Sequence, residues 1–161
     1  MPVRRLLRLH RAARLAALVA AAACEHPLGT AVQPPVVLQT PTAGEILAQR
    51  DRWLGAGVTH YAFVYEETGF LICCTEGRPL VVEVQGDSLL AAVPVSGPPC
   101  GAGCGGKSIA TLFDLAVRAA NDGVLTTISF DPVLHYPTRM DLAGPPDASG
   151  SELASDLKPL P

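Results

Sequence analysis

No acidic side chain precedes Cys24, and the apolar run of that leader, Leu15 to Ala23, is only nine residues long. A run that short does not span a bilayer as a permanent helix, which excludes a stop-transfer anchor there. A basic face is also missing. Once the five leader arginines are set aside, seven basic side chains remain against fifteen acidic ones, a net of −8. Nucleic-acid binding needs clustered cations to neutralise phosphates, so that class of partner is excluded. The chain has no CxxC, which argues against a thiol-redox domain of the usual kind. It shows no internal repeat, and only 5% of its residues are aromatic, with one Trp. What is present suits one modest globular domain: 161 residues, 48% of them hydrophobic and 17% charged.

Arg4, Arg5, Arg8, Arg11 and Arg14 followed by the alanine-rich run form the n- and h-regions of an export signal over residues 1–23. Ala21-Ala22-Ala23-Cys24 resembles a lipobox, with Ala21 where leucine is favoured, so the expectation is cleavage before Cys24 and lipidation of its thiol. Cleavage by an ordinary signal peptidase is the competing reading, and a retained basic amphipathic helix is the third. Residues 24–41, with Pro27, Pro34, Pro35 and Pro41 among small and polar residues, read as an extended tether. The expected location is the cell envelope, on the outer side of the cytoplasmic membrane or at the outer membrane, with the membrane itself as a partner through the lipid.

Residues 42–142 read as the folded domain. Thr42 and Glu45 have capping-box spacing, and Ile46, Leu47, Trp53 and Leu54 fall on one face of a helix that Gly55 and Gly57 end. Trp53 is expected in the core. Tyr61, Phe63 and Tyr65 alternate as a strand, residues 70–75 read as a second, and Leu80, Val82 and Val84 as a third. Gly86-Asp87 turns the chain into a fourth, residues 88–95. After Ser108 as N-cap, Ile109, Leu112, Phe113, Ala116 and Ala120 form a helical stripe that Asp122-Gly123 closes. Val124, Thr126, Ile128 and Phe130 then predict a strand facing inward, Asp131-Pro132 a break with residues 131–135 as an exposed tip, and residues 136–142 a return strand. Residues 143–161 read as a flexible tail in which Leu153, Leu157 and Leu160 dock weakly. The fold class predicted is α+β: two layers, a mainly antiparallel sheet of five or six strands with both helices on one face.

With these elements placed, the chain from about Ile46 to Asp141 resembles the bacterial family of small exported proteins known as domain of unknown function 6174. The likeness is carried by Trp53 ahead of Tyr61-Ala-Phe63-Val-Tyr65, by Cys73-Cys74, by Val81-Val82-Glu83-Val84 with Gly86, and by Ser108-Ile109-Ala-Thr-Leu112-Phe113-Asp114. Phe130-Asp131-Pro132 and Tyr136-Pro137-Thr138-Arg139 with Asp141 complete it. His135 stands where the family often has glycine. The resemblance implies an envelope lipoprotein and no established activity.

Three motifs carry candidate chemistry. Gly101 to Ser108 satisfies GxxxxGK[ST], in which Lys107 would reach phosphates and Ser108 would hold magnesium. An exported compartment holds little ATP, the preceding strands form a hairpin and not βαβ units, and too little chain follows for a parallel sheet, so the bland reading is a loop ending in a helix cap. Cys73, Cys74, Cys100 and Cys104 form an even set that reads as disulfides, with three full pairings open and a bridge from the strand to the glycine loop favoured. A zinc or copper site from these thiols with His60 or His135 is the sharper alternative, although CC and C-x3-C spacing fits zinc poorly. Asp131, His135, Tyr136, Arg139 and Asp141 form the densest polar cluster, suited to ligand or partner contact; no nucleophile with recognisable spacing accompanies it, so no catalytic residue, metal site or cofactor is assigned. The expected function is a non-enzymatic, membrane-tethered module that contacts another envelope protein or a small ligand, with a metal- or thiol-dependent envelope activity as the alternative.

Overall fold

The computed structural model describes residues 33–69, 78–98, 105–144 and 149–161, all within one compact unit. The leader, Cys24, the first half of the tether, the expected strand at 70–75 and all of Cys73, Cys74, Cys100 and Cys104 lie outside the described residues. Among the described residues two helices, α1 (Ala43–Gly55) and α2 (Ile109–Asn121), accompany seven strands: β1 (Val36–Gln39), β2 (His60–Thr68), β3 (Leu80–Gln85), β4 (Ser88–Pro94), β5 (Leu125–Phe130), β6 (Pro137–Leu142) and β7 (Gly150–Pro159). They form one antiparallel sheet in the order β1-β5-β6-β7-β2-β3-β4, so the α+β class holds with a larger strand count.

Local chemistry starts both helices where the sequence places them. The Thr42 hydroxyl accepts from the Glu45 N–H at 3.3 Å while the Glu45 carboxylate accepts from the Thr42 N–H at 2.8 Å, and Ser108 accepts from the Thr111 N–H at 3.1 Å. Inward faces then meet. Tyr61, Phe63 and Tyr65 of β2, Leu80, Val82 and Val84 of β3, and Ile109, Leu112, Phe113 and Ala116 of α2 are all buried. Trp53 sits edge-on to Tyr61 at 5.4 Å and to Tyr136 at 6.1 Å, and Phe113 stacks on Phe130 at 6.1 Å. Burying side chains of this size stabilises the fold by roughly 1.5–3 kcal/mol each, more than any single surface pair can contribute.

Four expectations need correction. The stretch expected as tether up to residue 41 ends in β1, which pairs with β5 from Val36 opposite Phe130 to Gln39 opposite Thr127; Val36 and Leu38 pack against the core, and that burial outweighs the flanking prolines. The expected tail is β7, a central strand paired with β2 on one side and β6 on the other. Its inward positions are Glu152 and Ala154, and small Ala154 lies directly opposite the large Tyr65, so β7 needs no bulky aliphatic side chain to fit. In α1 the buried side chains are Ile46, Gln49 and Trp53, while Leu47 and Leu54 are exposed, because α1 turns its Trp53 side to Tyr61 and Tyr136 and sets Arg50 beside Asp114 of α2. In β5 the inward residues are Leu125, Ile128 and Phe130, since a register shift between Leu125 and Thr127 turns Val124 and Thr126 outward.

Candidate functional site

Glu67 of β2 and Glu152 of β7 are direct cross-strand partners, so both carboxylates fall on the same face of the sheet, the one that carries Tyr65 and the helices. Like charges placed opposite one another destabilise a sheet, and Glu152 is only 6% exposed. Lys107 resolves the conflict. Its Nζ lies 2.9 and 3.2 Å from the two Glu152 oxygens, 3.3 Å from Glu67 Oε2 and 2.6 Å from the Tyr65 hydroxyl. It also sits 5.2 Å from the centre of the Tyr65 ring. The Tyr65 hydroxyl donates to Glu152 and faces Glu67 at 3.3 Å. Burial first, then the hydrogen bond to Glu152, push the phenol far above its usual value, so Tyr65 serves as a fixed donor.

This arrangement accounts for the glycine-lysine-serine motif without a phosphate. A Cβ on Gly106 would meet Val82 Cγ2 at 2.3 Å, so glycine is required for the loop to lie against β3. That approach turns Lys107 inward and leaves Ser108 as the α2 cap, with Ile109 N–H donating to Tyr61 at 3.2 Å. The ammonium that a phosphate loop would direct at its ligand is thus held by two carboxylates of the sheet, and the loop ends in the expected helix cap. Sequence reasoning missed Tyr65, Glu67 and Glu152 as a set. The available signal was Glu67 two residues beyond an inward aromatic stripe, a carboxylate at an inward position that calls for a cation.

The cluster expected around His135 divides in two. In the connection between β5 and β6, Asp131 Oδ1 accepts from the N–H groups of Val133 at 2.9 Å and Leu134 at 2.6 Å, the turn chemistry of a capping aspartate. His135 adopts φ +64, a backbone conformation that glycine takes more readily than histidine, and its Nδ1 is buried with no hydrogen-bond partner among the described residues. Of the expected exposed tip only Val133 is well exposed, and Tyr136 is buried against Trp53, its phenol raised chiefly by burial. Arg139 and Asp141 lie instead on the face of the sheet turned away from the helices. There Arg139 Nε and Nη2 each lie 2.9 Å from Asp141 Oδ1, and Ser151 donates to the same oxygen at 2.7 Å. The Arg139 hydrogen bond holds the Asp141 carboxyl below the usual range despite partial burial.

A second ionic junction closes the end of the sheet. His60 Nε2 lies 3.1 Å from Glu83 Oε1 and Nδ1 lies 2.9 Å from the Pro161 carbonyl oxygen. Both partners are acceptors, so the ring satisfies both only as imidazolium, and the Glu83 hydrogen bond, followed by that of Pro161, raises its pKa. The nearby cleft, lined by Arg50, Trp53, Tyr61, Asp87 and Phe113, holds about 170 Å³. That volume is below the roughly 300 Å³ at which pockets begin to enclose drug-sized molecules.

An open seven-stranded antiparallel sheet with two helices on one face, clasped by an internal lysine, defines the class of this domain. The profile of the family of unknown function DUF6174 matches residues 45–158, and the chain belongs to that family. No curated protein and no solved structure matches the chain. Among the described residues no helix is long and apolar enough to cross a membrane, and no group of three or more His, Cys, Asp or Glu side chains is placed to hold a metal ion.

Lys107→Met leaves Glu67 and Glu152 facing each other without a cation, and the expected loss is roughly 3 kcal/mol, the low end for breaking a buried pair. Adding Glu152→Gln to that variant is expected to restore part of the loss, read from urea midpoints at constant m. An unchanged midpoint for Lys107→Met would show that the cluster is incidental. His60 gives the opposite sign to a carboxylate. Its folded pKa lies above the unfolded value of about 6.5, so its stabilisation is complete below that value and is lost as pH rises through the raised folded pKa. The midpoint difference between wild type and His60→Gln is therefore expected to shrink with rising pH; a difference that grows would contradict the imidazolium assignment.

Proposed function

We propose that this chain is an exported bacterial envelope protein, lipidated at Cys24, whose folded domain is a non-enzymatic binding module that contacts another envelope protein through the uncovered face of its sheet. The observation that carries the reading is the composition of that face. Register places Val37, Ser129, Arg139, Leu153 and Glu66 in one row across five strands, and Gln39, Thr127, Asp141, Ser151 and Thr68 in the next. Towards the other edge Ser155, Val64, Val81 and Val93 form a third row, with Val81 and Val93 exposed. The face therefore grades from polar and ion-paired to apolar, as protein interfaces with a dry centre and a polar rim do. The polar groups with the most connections, Lys107, Tyr65, Glu67 and Glu152, are engaged with one another in holding the fold.

Tethering is supported by the leader, by the small-residue triplet before Cys24 and by the prolines that follow. The second reading, a metal- or thiol-dependent activity of Cys73, Cys74, Cys100 and Cys104 with His135, draws on His135 Nδ1, which is buried without a hydrogen-bond partner among the described residues. Stoichiometric zinc or copper that disappears in Cys100→Ser would favour it. For the main reading, intact mass from the membrane fraction is expected to show a chain beginning at acylated Cys24. A photocrosslinking residue at Leu153 on the uncovered face is expected to capture an envelope protein that the same residue at Asp114, on the outer surface of α2, does not. Equal capture from both sites, or an unprocessed chain beginning at Met1, would overturn the proposal.

A further inference from the structure

The strands have two ends, and the chain that leads from Cys24 enters at one of them. Val36 of β1 lies opposite Phe130, the last residue of β5, so Pro34 and Pro35 come in beside the 131–136 connection between β5 and β6. Antiparallel pairing brings the last residues of β7 and the start of β2 to the same end, where the Leu160 N–H donates to the His60 carbonyl at 2.8 Å. The end of α1 and the Gly86-Asp87 turn complete it: Leu54 lines one cleft with Thr59, Gly86 and Asp87, and the Gly86 N–H donates to the Thr59 carbonyl at 2.7 Å. The two most exposed large apolar side chains among the described residues lie here, Val133 at 68% and Leu54 at 62%. Their segments meet where Trp53 packs edge-on to Tyr136 at 6.1 Å. The turn itself fixes the position of the valine. Asp131 accepts from the Val133 and Leu134 N–H groups and Leu134 packs against the core, which leaves Val133 at the tip.

We propose that this end of the domain rests on the phospholipid surface, with Val133 and Leu54 entering the headgroup layer. The inference rests on the reading that Cys24 is lipidated and adds a direct contact between side chains of the domain and lipid. Cys24 and Gln33 are nine residues apart, so the chain between them reaches at most roughly 30 Å whatever path it takes. That length of chain joins the sheet at the end that carries the two exposed side chains. A short tether gives an effective concentration on the order of millimolar, at which a contact too weak to hold an untethered domain is still occupied. Two apolar side chains supply a contact of that kind. The carboxylate nearest the tip does not oppose it, because Asp131 is turned back onto the N–H groups of its own turn. In this orientation the strands run along the membrane normal, and the uncovered face of the sheet stands clear of the lipid, open to an envelope protein.

The test is a photocrosslinking residue placed in the full chain at position 133, 54 or 95 and irradiated in the native membrane fraction, with each chain's mass read both for acylated Cys24 and for an added phospholipid. Phospholipid adducts are expected at 133 and 54, severalfold above those at 95, where Val95 is 56% exposed but lies at the opposite end of the strands, beside Pro79. Val133→Asp, which puts a charge at the tip, is expected to lower the adduct yield at 54 severalfold while acylation and folding stay as they are, because the side chain at 133 lies outside the core. An acylated chain that gives no lipid adduct at 133 and 54, that gives as much at 95, or that captures a protein at 133 in place of lipid overturns the contact and leaves the anchor standing. A chain without acylated Cys24 removes the anchor, and the contact falls with it.

Discussion

One ammonium group, Lys107 Nζ, holds together three segments that are distant in the chain. It sits between Glu67 on β2 and Glu152 on β7, and its own backbone leads directly into the Ser108 cap of α2. Without it, two carboxylates would oppose each other across a central strand pair with Glu152 almost fully removed from water. Desolvation of charge costs several kcal/mol unless a counter-ion and hydrogen bonds compensate, and here the compensation comes from Lys107 and the Tyr65 hydroxyl together. The close backbone contact at the end of the same strand pair follows from that pairing. A Cβ on Gly150 would stand 2.7 Å from the Thr68 carbonyl oxygen, so β7 can close on β2 there only with glycine.

The fold was legible wherever a periodic apolar pattern met a clear terminator. Tyr61, Phe63 and Tyr65, the Leu80-Val82-Val84 strand and the Ser108-capped helix were read from residue spacing alone, and the family resemblance was read from the same residues. The sequence misled where burial does not need large apolar side chains. β7 presents Glu152 and Ala154 inward because Tyr65 fills the space opposite Ala154 and Lys107 neutralises Glu152; a polar, alanine-containing stretch near the end of a chain offers no hint of that. β1 was obscured by its prolines, which suit an edge strand as well as a tether.

Lys107 shows the same limit from the other side. Gly106-Lys107-Ser108 carries the pattern of a phosphate loop, yet each residue has a structural reason for its identity: close approach to Val82, neutralisation of buried Glu152 and its neighbour Glu67, and a helix cap. The cluster around His135 looked dense because five polar residues lie within eleven positions, but strand geometry sends Arg139 and Asp141 to the uncovered face and leaves Asp131 to shape a turn. With these groups accounted for by the fold, the uncovered face and the end of the sheet that exposes Val133 and Leu54 are the surfaces whose composition the fold itself does not require.

Native-state amide hydrogen exchange across β7 is the most direct measurement of the central claim, that a lysine clasp makes residues 150–159 an integral central strand. The account predicts that the amides of residues 152–154 exchange with the same free energy and the same denaturant dependence as those of β2, that is, through global unfolding. Exchange of those amides at the low protection of a fraying end, while β2 and β3 remain protected, would contradict it.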